Sequence, residues 1–319
     1  MVIDVHAHAI PEEFPESPGW PRMEPVESGD ARVLEFGPFR FRAAAAFYDA
    51  EHRLAAMAAD GVDAEVLSPF PPLLNYTLDT SSGRDLCRFI NGSIASRCAA
   101  EPGRFFGLGT VPLQDPDIAA AELPEIVRSG LHGIEIASSI NGTPLGDERF
   151  LGFFQEAERL QVPIFVHGFP TADDRLPGSA VGSFGVAGEI AMAAVSIVMG
   201  GTAEKCPDLR LAFSHGAGGF PLMLTRAEHF WRHVLSGPDR APRSPTEIAR
   251  RFYYECHVFD PRALRYLVEL LGPSRLMFGT DFPAMPREHA MTTLDSADLP
   301  SDVRRGITAD NVRRFLRIE

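Results

Sequence analysis

Residues Ile3-Asp4-Val5-His6-Ala7-His8-Ala9 form a β-rich run that carries two histidines two positions apart. Side chains i and i+2 of a strand point to the same face, so both imidazoles can turn to one side. Seven further β-rich runs follow, with helical stretches between them. Such alternation is typical of a parallel sheet covered by helices, and eight units predict a (β/α)8 TIM-type barrel.

The later predicted strands are short runs of aliphatic and aromatic residues. They lie at 64–68, 105–111, 133–136, 164–167, 211–215, 252–256 and 276–281. Helical periodicity between them is clearest at 51–60, where Leu54, Met57 and Ala58 share one face. Helices are also predicted at 84–100, 118–129, 147–160, 261–271 and 309–317.

A chain of 319 residues suits one barrel domain, 1–319, because such barrels often exceed ~250 residues when they carry insertions. Residues 11–48 are rich in Pro, Gly and Glu and separate the first strand from its helix. We expect them to form an insertion over the C-terminal face of the barrel and to provide substrate contacts. Residues 169–188 form a second long loop, and either segment could act as a lid.

The charge balance indicates which class of molecule the protein binds. Lys and Arg total 30 against 43 Asp and Glu, giving a net charge of −13, which argues against nucleic acid and favours a small-molecule substrate. The sequence has no basic, apolar leader pattern and no evident apolar run of ~18 residues, so we expect neither export nor membrane insertion. These features predict a cytoplasmic protein.

Catalytic residues of such barrels lie where strands end at the C-terminal face. An isolated His-x-His is a weak motif, but here it ends the first strand of an eight-unit chain. Imidazole nitrogens with a carboxylate suit Zn²⁺, Mn²⁺ or Fe²⁺, and a position left open for water would make the site catalytic. The strand-end residues that could take part are His6, His8, His167, His215 and Asp281.

Several motifs together resemble the amidohydrolase superfamily, and more narrowly its aminocarboxymuconate-semialdehyde decarboxylase branch, often called amidohydrolase 2. The motifs are Val5-His6-Ala7-His8, Phe165-Val166-His167, Ser214-His215-Gly216-Ala217-Gly218-Gly219-Phe220-Pro221 and Phe278-Gly279-Thr280-Asp281-Phe282-Pro283. Further similar stretches, 140–145 and 257–261, extend the resemblance over nearly the whole chain.

The resemblance implies that His6, His8, His167 and Asp281 bind one divalent metal, with zinc the first expectation and manganese or iron as alternatives. His215 would be the acid/base group that does not bind the metal, and Asp281 would also carry protons. Organic cofactors are not expected, because the conjugated substrate can store the electrons itself.

The resemblance also implies a homodimer in which Arg226 grips a substrate carboxylate across the interface, since a guanidinium suits that task. Arg42, in the insertion, is the candidate second arginine, and Phe282 is a candidate wall of the substrate pocket. The branch usually carries His-Pro at strand five, whereas this chain has His167-Gly168.

Two reactions fit this set of residues. The first is non-oxidative decarboxylation of an aromatic or unsaturated carboxylic acid. The second is hydrolysis or hydration, in which metal-bound water attacks an ester, lactone, amide or alkene. The products distinguish them, because the first releases CO2 and the second adds one water.

Other polar residues allow alternative interpretations of the site. Glu135, on the fourth strand, could bridge a second metal, although a carboxylate that faces the helices or pairs with an arginine is the more common case. A third, non-enzymatic reading is a metal-free binding barrel. The remaining histidines are interpreted as surface or interface residues: His52, His132, His229, His233, His257 and His289.

Overall fold

The computed structural model describes residues 1–26, 29–169, 176–237 and 240–318, without the side chain of Ser179. Eight parallel strands form one sheet, and their order in the sheet follows their order in the chain. The strands are β1 (Ile3–Ala9), β5 (Ala64–Pro69), β6 (Phe105–Gly109), β7 (Gly133–Ala137), β10 (Ile164–His167), β11 (Leu211–Phe213), β12 (Tyr253–Glu255) and β13 (Leu276–Met277).

Helices follow the strands and cover the sheet. The longer ones are α1 (Ala50–Asp60), α2 (Thr80–Ala100), α3 (Pro116–Arg128), α4 (Leu151–Leu160), α6 (Val186–Met199), α8 (Phe220–His233), α10 (Pro261–Leu271) and α11 (Glu288–Ser296). Shorter ones are α5 (Gly178–Ala180), α7 (Thr202–Lys205), α9 (Pro245–Ala249), α12 (Ser301–Arg305) and α13 (Asn311–Leu316). Asp260 caps α10 by accepting from the Arg262 N–H, as expected of an Asp-Pro start.

The sheet closes between its first and last strands. The Val5 N–H donates to the Phe278 carbonyl at 2.9 Å, and the His8 N–H donates to the Phe282 carbonyl at 2.7 Å. The predicted (β/α)8 barrel is therefore confirmed. Predicted strands three, six, seven and eight extend one to four residues beyond the observed strands, because the sequence does not mark where pairing stops.

An irregularity in β1 positions the first two histidines. Pairing with β5 runs Ile3 to Ala64 and Asp4 to Glu65, then resumes one step out of register at Ala7 with Leu67. Such a bulge changes which residues face inward. Ile3 and Val5 pack inside the barrel, and beyond the irregularity the ring of His6 also faces inward, 5.2 Å from that of Phe165.

The insertion at 11–48 has structure of its own. It contains an antiparallel sheet of β2 (Arg22–Pro25), β3 (Arg32–Phe36) and β4 (Phe39–Ala43). The sequence analysis predicted an insertion but no strands here. The alternation Phe39-Arg40-Phe41-Arg42 in β4 was the available signal, but it is only four residues long. A smaller hairpin, β8 (Ser139–Ile140) with β9 (Thr143–Pro144), follows β7.

Part of the second proposed lid, at 170–175, lies outside the described residues. Residues 178–185 are helical and run into α6. The helical stretch Val181–Met199 is 19 residues long and apolar enough, by length and composition alone, to cross a membrane, so our expectation of no such run was wrong. Its side chains Ile190, Ala194 and Ile197 are buried in the core around the barrel.

Candidate metal centre and substrate cavity

Three histidines lie at the ends of β1 and β10, and in each of them Nδ1 is within hydrogen-bond distance of an oxygen atom. Nδ1 of His6 lies 3.1 Å from Glu255 Oε2, and Nδ1 of His8 lies 3.1 Å from the Pro69 carbonyl oxygen. Nδ1 of His167 lies 2.8 Å from the carbonyl oxygen of the next residue. A carbonyl oxygen only accepts, so Nδ1 carries the hydrogen in at least His8 and His167. Nε2 is then left with the lone pair that binds metals.

These Nε2 atoms converge on one carboxylate. Nε2 of His6 and Nε2 of His8 lie 3.1 Å apart, and Asp281 Oδ1 lies 3.0 Å from the His8 nitrogen. Nε2 of His167 is buried without a partner among the described residues. Ligand atoms of His6, His167, His215 and Asp281 lie within 4.8 Å of one another. Donors about 2.1 Å from one ion are separated by about 3 Å. The distances from His8 Nε2 to His6 Nε2 and to Asp281 Oδ1 match this spacing, so His8 is a candidate ligand although it lies outside that group, and His215 is a further candidate within it.

The protonation states suit the same ligand set. Burial lowers the pKa of His6 and of His167 well below the ordinary value, so both rings are neutral. Burial acts to raise the pKa of Asp281, but the neighbouring imidazoles hold it well below its usual range. Burial likewise opposes protonation of His8, although its hydrogen bond to Asp281 raises the pKa overall. A bound cation would replace the proton that this pair shares.

His215 and Asp281 both have left-handed backbone conformations, with φ of +51° and +61°. Such values cost a non-glycine residue ~1–2 kcal/mol and are concentrated at functional sites. The His215 side chain is 16 % exposed, with Nδ1 3.9 Å from Glu255 Oε2. Its ring therefore remains accessible beside the buried ligand set.

Glu255 is a site residue that the sequence analysis missed. Its buried carboxylate accepts from the His215 N–H at 2.8 Å through the same oxygen that contacts His6 Nδ1. A Cβ on Gly279 would lie 2.4 Å from Glu255 Cγ, so only glycine leaves room for this carboxylate. The available signal was an acidic residue within the apolar run 252–256, whose alternation turns Tyr253 and Glu255 to one face.

Glu135 also points into the barrel, because it pairs in register with the inward-facing Phe165. Burial raises the pKa of Glu135 to about 7, and the charge of His8 opposes that rise. Neither carboxylate oxygen has a close hydrogen-bond partner among the described residues. The more common alternative, a carboxylate facing the helices or paired with an arginine, is therefore wrong. Glu135 also lies outside the group of residues that could bind one ion.

A second cluster of charges lies on the outer side of β1. Arg287 is ion-paired with Glu65, Asp60 and Asp4. Arg53 pairs with Glu65 at 2.8 Å and donates to the carbonyl oxygen of the candidate ligand His8. Asp4 accepts from Thr280 Oγ1 at 2.5 Å, next to Asp281. This cluster fixes the strand and the loop that carry the ligands.

A cavity of about 820 Å³ opens beside the ligand set, and its wall includes His167, His215 and Asp281. Most of the remaining lining is apolar, from α6, α8 and α10. His257, which we expected at the surface, is only 1 % exposed and lines this cavity directly after β12. That expectation was wrong because the loop after β12 buries this side chain in the cavity wall, and no sequence signal marks the position of that loop.

Gly168 explains the departure from the His-Pro pattern. A Cβ at this position would lie 2.6 Å from the Val186 carbonyl oxygen, at the start of α6. Proline carries a Cβ and would not fit. The glycine thus allows α6 to approach the end of β10 and form one wall of the cavity.

The three proposed substrate contacts lie away from this cavity in the single chain. Arg226 is exposed on α8, with its guanidinium 4.7 Å from the Phe230 ring centroid. Arg42 is exposed on β4, paired in register with Val33. Phe282 places its ring 3.4 Å from the Arg287 guanidinium carbon, so it packs on the outer charge cluster and not on the cavity wall.

Strand ends that gather three imidazoles and a carboxylate beside a cavity are features of the amidohydrolase-type barrels. Residues 3–318 match the family model described as amidohydrolase. The chain belongs to this family, and the resemblance drawn from the motifs is confirmed.

Two curated relatives carry decarboxylase names. The 2-amino-3-carboxymuconate-6-semialdehyde decarboxylase of Dictyostelium discoideum is 31 % identical, over 89 % of this chain and 82 % of that protein. The gamma-resorcylate decarboxylase of Rhodococcus jostii is 27 % identical, over 98 % of this chain and 96 % of its own. Both of these relatives are thus named as carboxy-lyases.

Solved structures agree on the architecture. The 5-carboxyvanillate decarboxylase of Sphingomonas paucimobilis superposes with a TM-score of 0.78 at 28 % identity, covering 86 % of this chain and 84 % of that one. The dihydroxybenzoic acid decarboxylase of Polaromonas, solved with bound manganese, gives 0.76 at 23 % identity over 85 % and 87 %. At the latter identity the likeness shows the fold alone.

Proposed function

We propose that this protein is a metal-dependent, non-oxidative decarboxylase of an aromatic or unsaturated carboxylic acid. The observation that carries the proposal is the convergence of His6, His8 and His167 on the Asp281 carboxylate, at one wall of a mostly apolar cavity. A cavity of about 820 Å³ lies within the ~300–1,000 Å³ range of small-molecule sites. The decarboxylase relatives support the reaction class.

The metal ligands in this proposal are His6, His8, His167 and Asp281. When bound, the ion would hold substrate oxygen atoms and stabilise negative charge that develops during the reaction. Three imidazoles and one carboxylate form a borderline donor set, so we propose zinc as the resident ion, with manganese and iron as alternatives. Elemental analysis of the purified protein distinguishes the three.

Decarboxylation breaks the bond between the carboxylate and a ring or alkene carbon, leaving the electron pair on that carbon. CO2 departs, and a proton must then form the new C–H bond. We assign this proton to His215, whose ring lines the cavity and whose backbone N–H is fixed by Glu255. An organic cofactor is not needed in this scheme, since the substrate's conjugated system holds the electrons.

The test is a screen of hydroxybenzoates and muconate-like acids by ultraviolet absorbance, with CO2 measured directly. We expect CO2 release without uptake of water; a product heavier by one water would instead support the hydrolase or hydratase alternative. His215→Asn should retain its metal and lose turnover. Loss of metal from this variant would contradict the assignment of His215 as a residue that does not bind the ion.

We further propose a homodimer that supplies Arg226 to the partner's cavity. Large apolar side chains are exposed on α6 and α8, two helices that pack against each other, and exposed apolar patches mark interfaces. Arg226 lies on the same helix and is free to reach a neighbouring molecule. The exposed side chains are Met192, Met199, Leu222, Met223, Phe230 and Val234.

Met192→Glu tests the dimer, because it places a charge in this patch away from the cavity. We expect a shift towards monomer in analytical ultracentrifugation and a matching loss of specific activity. A fully active monomer would overturn this part of the proposal. Arg42 remains a candidate for a second contact with the substrate in the assembled protein, as does Phe282 if its loop rearranges.

The partners and location that we propose follow from composition. A net charge of −13 favours small carboxylic acids over nucleic acid, and we place the protein in the cytoplasm, not at a membrane. Cell fractionation with an antibody against the protein would test the location.

A further inference from the structure

His257 occupies an unusual position at the cavity. It follows β12 directly, its backbone N–H donates to Glu255, and its ring centroid lies 6.2 Å from that of His215. Its side chain forms part of the wall of the same cavity. His257 is not part of the group that could bind one metal ion.

The polar atoms of this ring lack partners. His257 is only 1 % exposed, and both ring nitrogens have no hydrogen bond to any described residue. One face of the ring packs on Phe259, with centroids 4.2 Å apart. Burying an unpartnered polar group costs free energy, so a residue that served only to pack this wall would be better apolar. A water molecule or a polar group of a bound substrate can supply the partner that the described residues do not.

The protonation state of the His257 ring limits which chemical groups can be its partner. Burial lowers the pKa of His257, so the neutral imidazole offers one N–H donor and one acceptor. Such a pair of groups matches a hydroxyl, which can donate and accept, or a carboxylate, which accepts from the N–H. Two other polar side chains on this wall already have partners within the chain: the Tyr266 hydroxyl donates to the Pro221 carbonyl oxygen, and Arg262 is ion-paired with Asp260.

We propose that His257 recognises a second polar substituent of the substrate, a hydroxyl or carboxylate group separate from the carboxylate that leaves. The residue thereby selects polysubstituted acids over singly substituted ones. This inference rests on the proposed function only in that it takes the cavity as the substrate site.

The experiment compares metal-loaded wild type with His257→Leu, which fills the space without polar atoms. Calorimetry measures the binding of benzoate, 2- and 3-hydroxybenzoate, 2,6-dihydroxybenzoate and isophthalate, which form pairs that differ by one hydroxyl or carboxylate. We expect wild type to bind the favoured member of at least one pair about tenfold more tightly, the worth of one hydrogen bond. His257→Leu should reduce that preference to within about twofold, and His257→Gln should restore part of it.

His289→Leu is the matched control, since His289 is exposed and its ring lies 6.3 Å from that of Phe259. It should leave the preference unchanged. Equal metal content and an unchanged or higher melting temperature in His257→Leu would show that the fold is intact. A wild type without any preference, or a His257→Leu variant that keeps it, would overturn the inference.

The outcomes also separate this inference from the proposed function. If no acid releases CO2 but His257→Leu abolishes the binding preference, the decarboxylase proposal fails and the recognition by His257 stands. If wild type and His257→Leu release CO2 with the same preferences, the recognition fails alone.

Discussion

Two buried polar clusters lie on opposite sides of β1 and differ in completeness. On the outer side, Asp4 and Glu65 are ion-paired with Arg53 and Arg287, so charge is balanced by the chain itself. On the inner side, three imidazoles surround the Asp281 carboxylate, and the buried His167 Nε2 has no partner among the described residues. In the outer cluster, the buried Arg287 Nε also makes no hydrogen bond, but it still lies 3.6 Å from the Asp4 carboxylate. A cluster whose charges are paired within the chain stabilises the fold. A cluster with an unpartnered polar atom is expected to bind a group from outside the chain.

The largest expected effect comes from breaking the incomplete cluster. Asp281→Asn removes its negative charge, and we expect loss of the bound metal and a fall in turnover of roughly 10³-fold or more. Even a supporting residue behind a metal ligand contributes about 10–100-fold. Elemental analysis and initial rates measure the two effects. A variant with normal metal content and activity would exclude Asp281 from the site.

Breaking the balanced cluster should instead affect stability. Arg287→Met leaves the buried carboxylate of Asp4 without its ion-pair partner and leaves Glu65 with Arg53 alone. Removal of one member of a buried pair costs about 3–5 kcal/mol. Chemical denaturation of the metal-free protein measures it. Arg304→Met, which removes an exposed pair with Asp295, is the control and should change stability little. Equal effects of the two variants would contradict the distinction.

Glu255→Gln tests a buried residue that supports the incomplete inner cluster without belonging to the candidate ligand set. Its carboxylate holds His6 Nδ1 and the His215 N–H, so we expect metal affinity to fall about 10–100-fold while the protein stays folded. Competition with a chelator measures the affinity. Unchanged affinity would mean that the carboxylate only fills space beneath the ring of His6.

The last effect, on stability and not on metal binding, is a pH dependence due to Glu135. Its folded pKa of about 7 lies above the ordinary 4.5, so the protonated carboxyl stabilises the fold below pH 4.5, and this contribution is lost as the pH rises through 7. In metal-free wild type, Glu135 should lower the free energy of unfolding by up to ~3 kcal/mol between pH 5 and 8, and Glu135→Gln should abolish this decrease. Asp4, whose pKa is also raised by burial, titrates in both proteins and cancels. Parallel pH profiles would contradict the prediction.

The sequence was informative where one rule connects chain position to space. Strand ends meet at one rim of a barrel, so His6, His8, His167, His215 and Asp281 could be predicted as neighbours without any distance. The helix ends were also predictable, since Gly61 and Asp260 carry local signals that do not depend on packing.

Features that depend on register or on tertiary packing were not predictable. Glu255 is the last residue of β12 and His257 lies in the loop that follows, so the surroundings of both side chains depend on how the strand and the loop pack against the site. The change of register in β1 has no sequence signature. Phe282 was assigned to the pocket from its position in the chain, but the direction of its ring is decided by contact with Arg287.

Closure of the barrel also has a consequence for folding during protein synthesis. Asp4 and Thr280, which hydrogen bond at the seam between β1 and the loop that carries Asp281, are 276 positions apart in the chain. During synthesis the first two ligands therefore leave the ribosome long before the last one. Capture of the metal by the full ligand set must wait until translation is nearly complete, and closing so long a loop places the seam among the late events of folding.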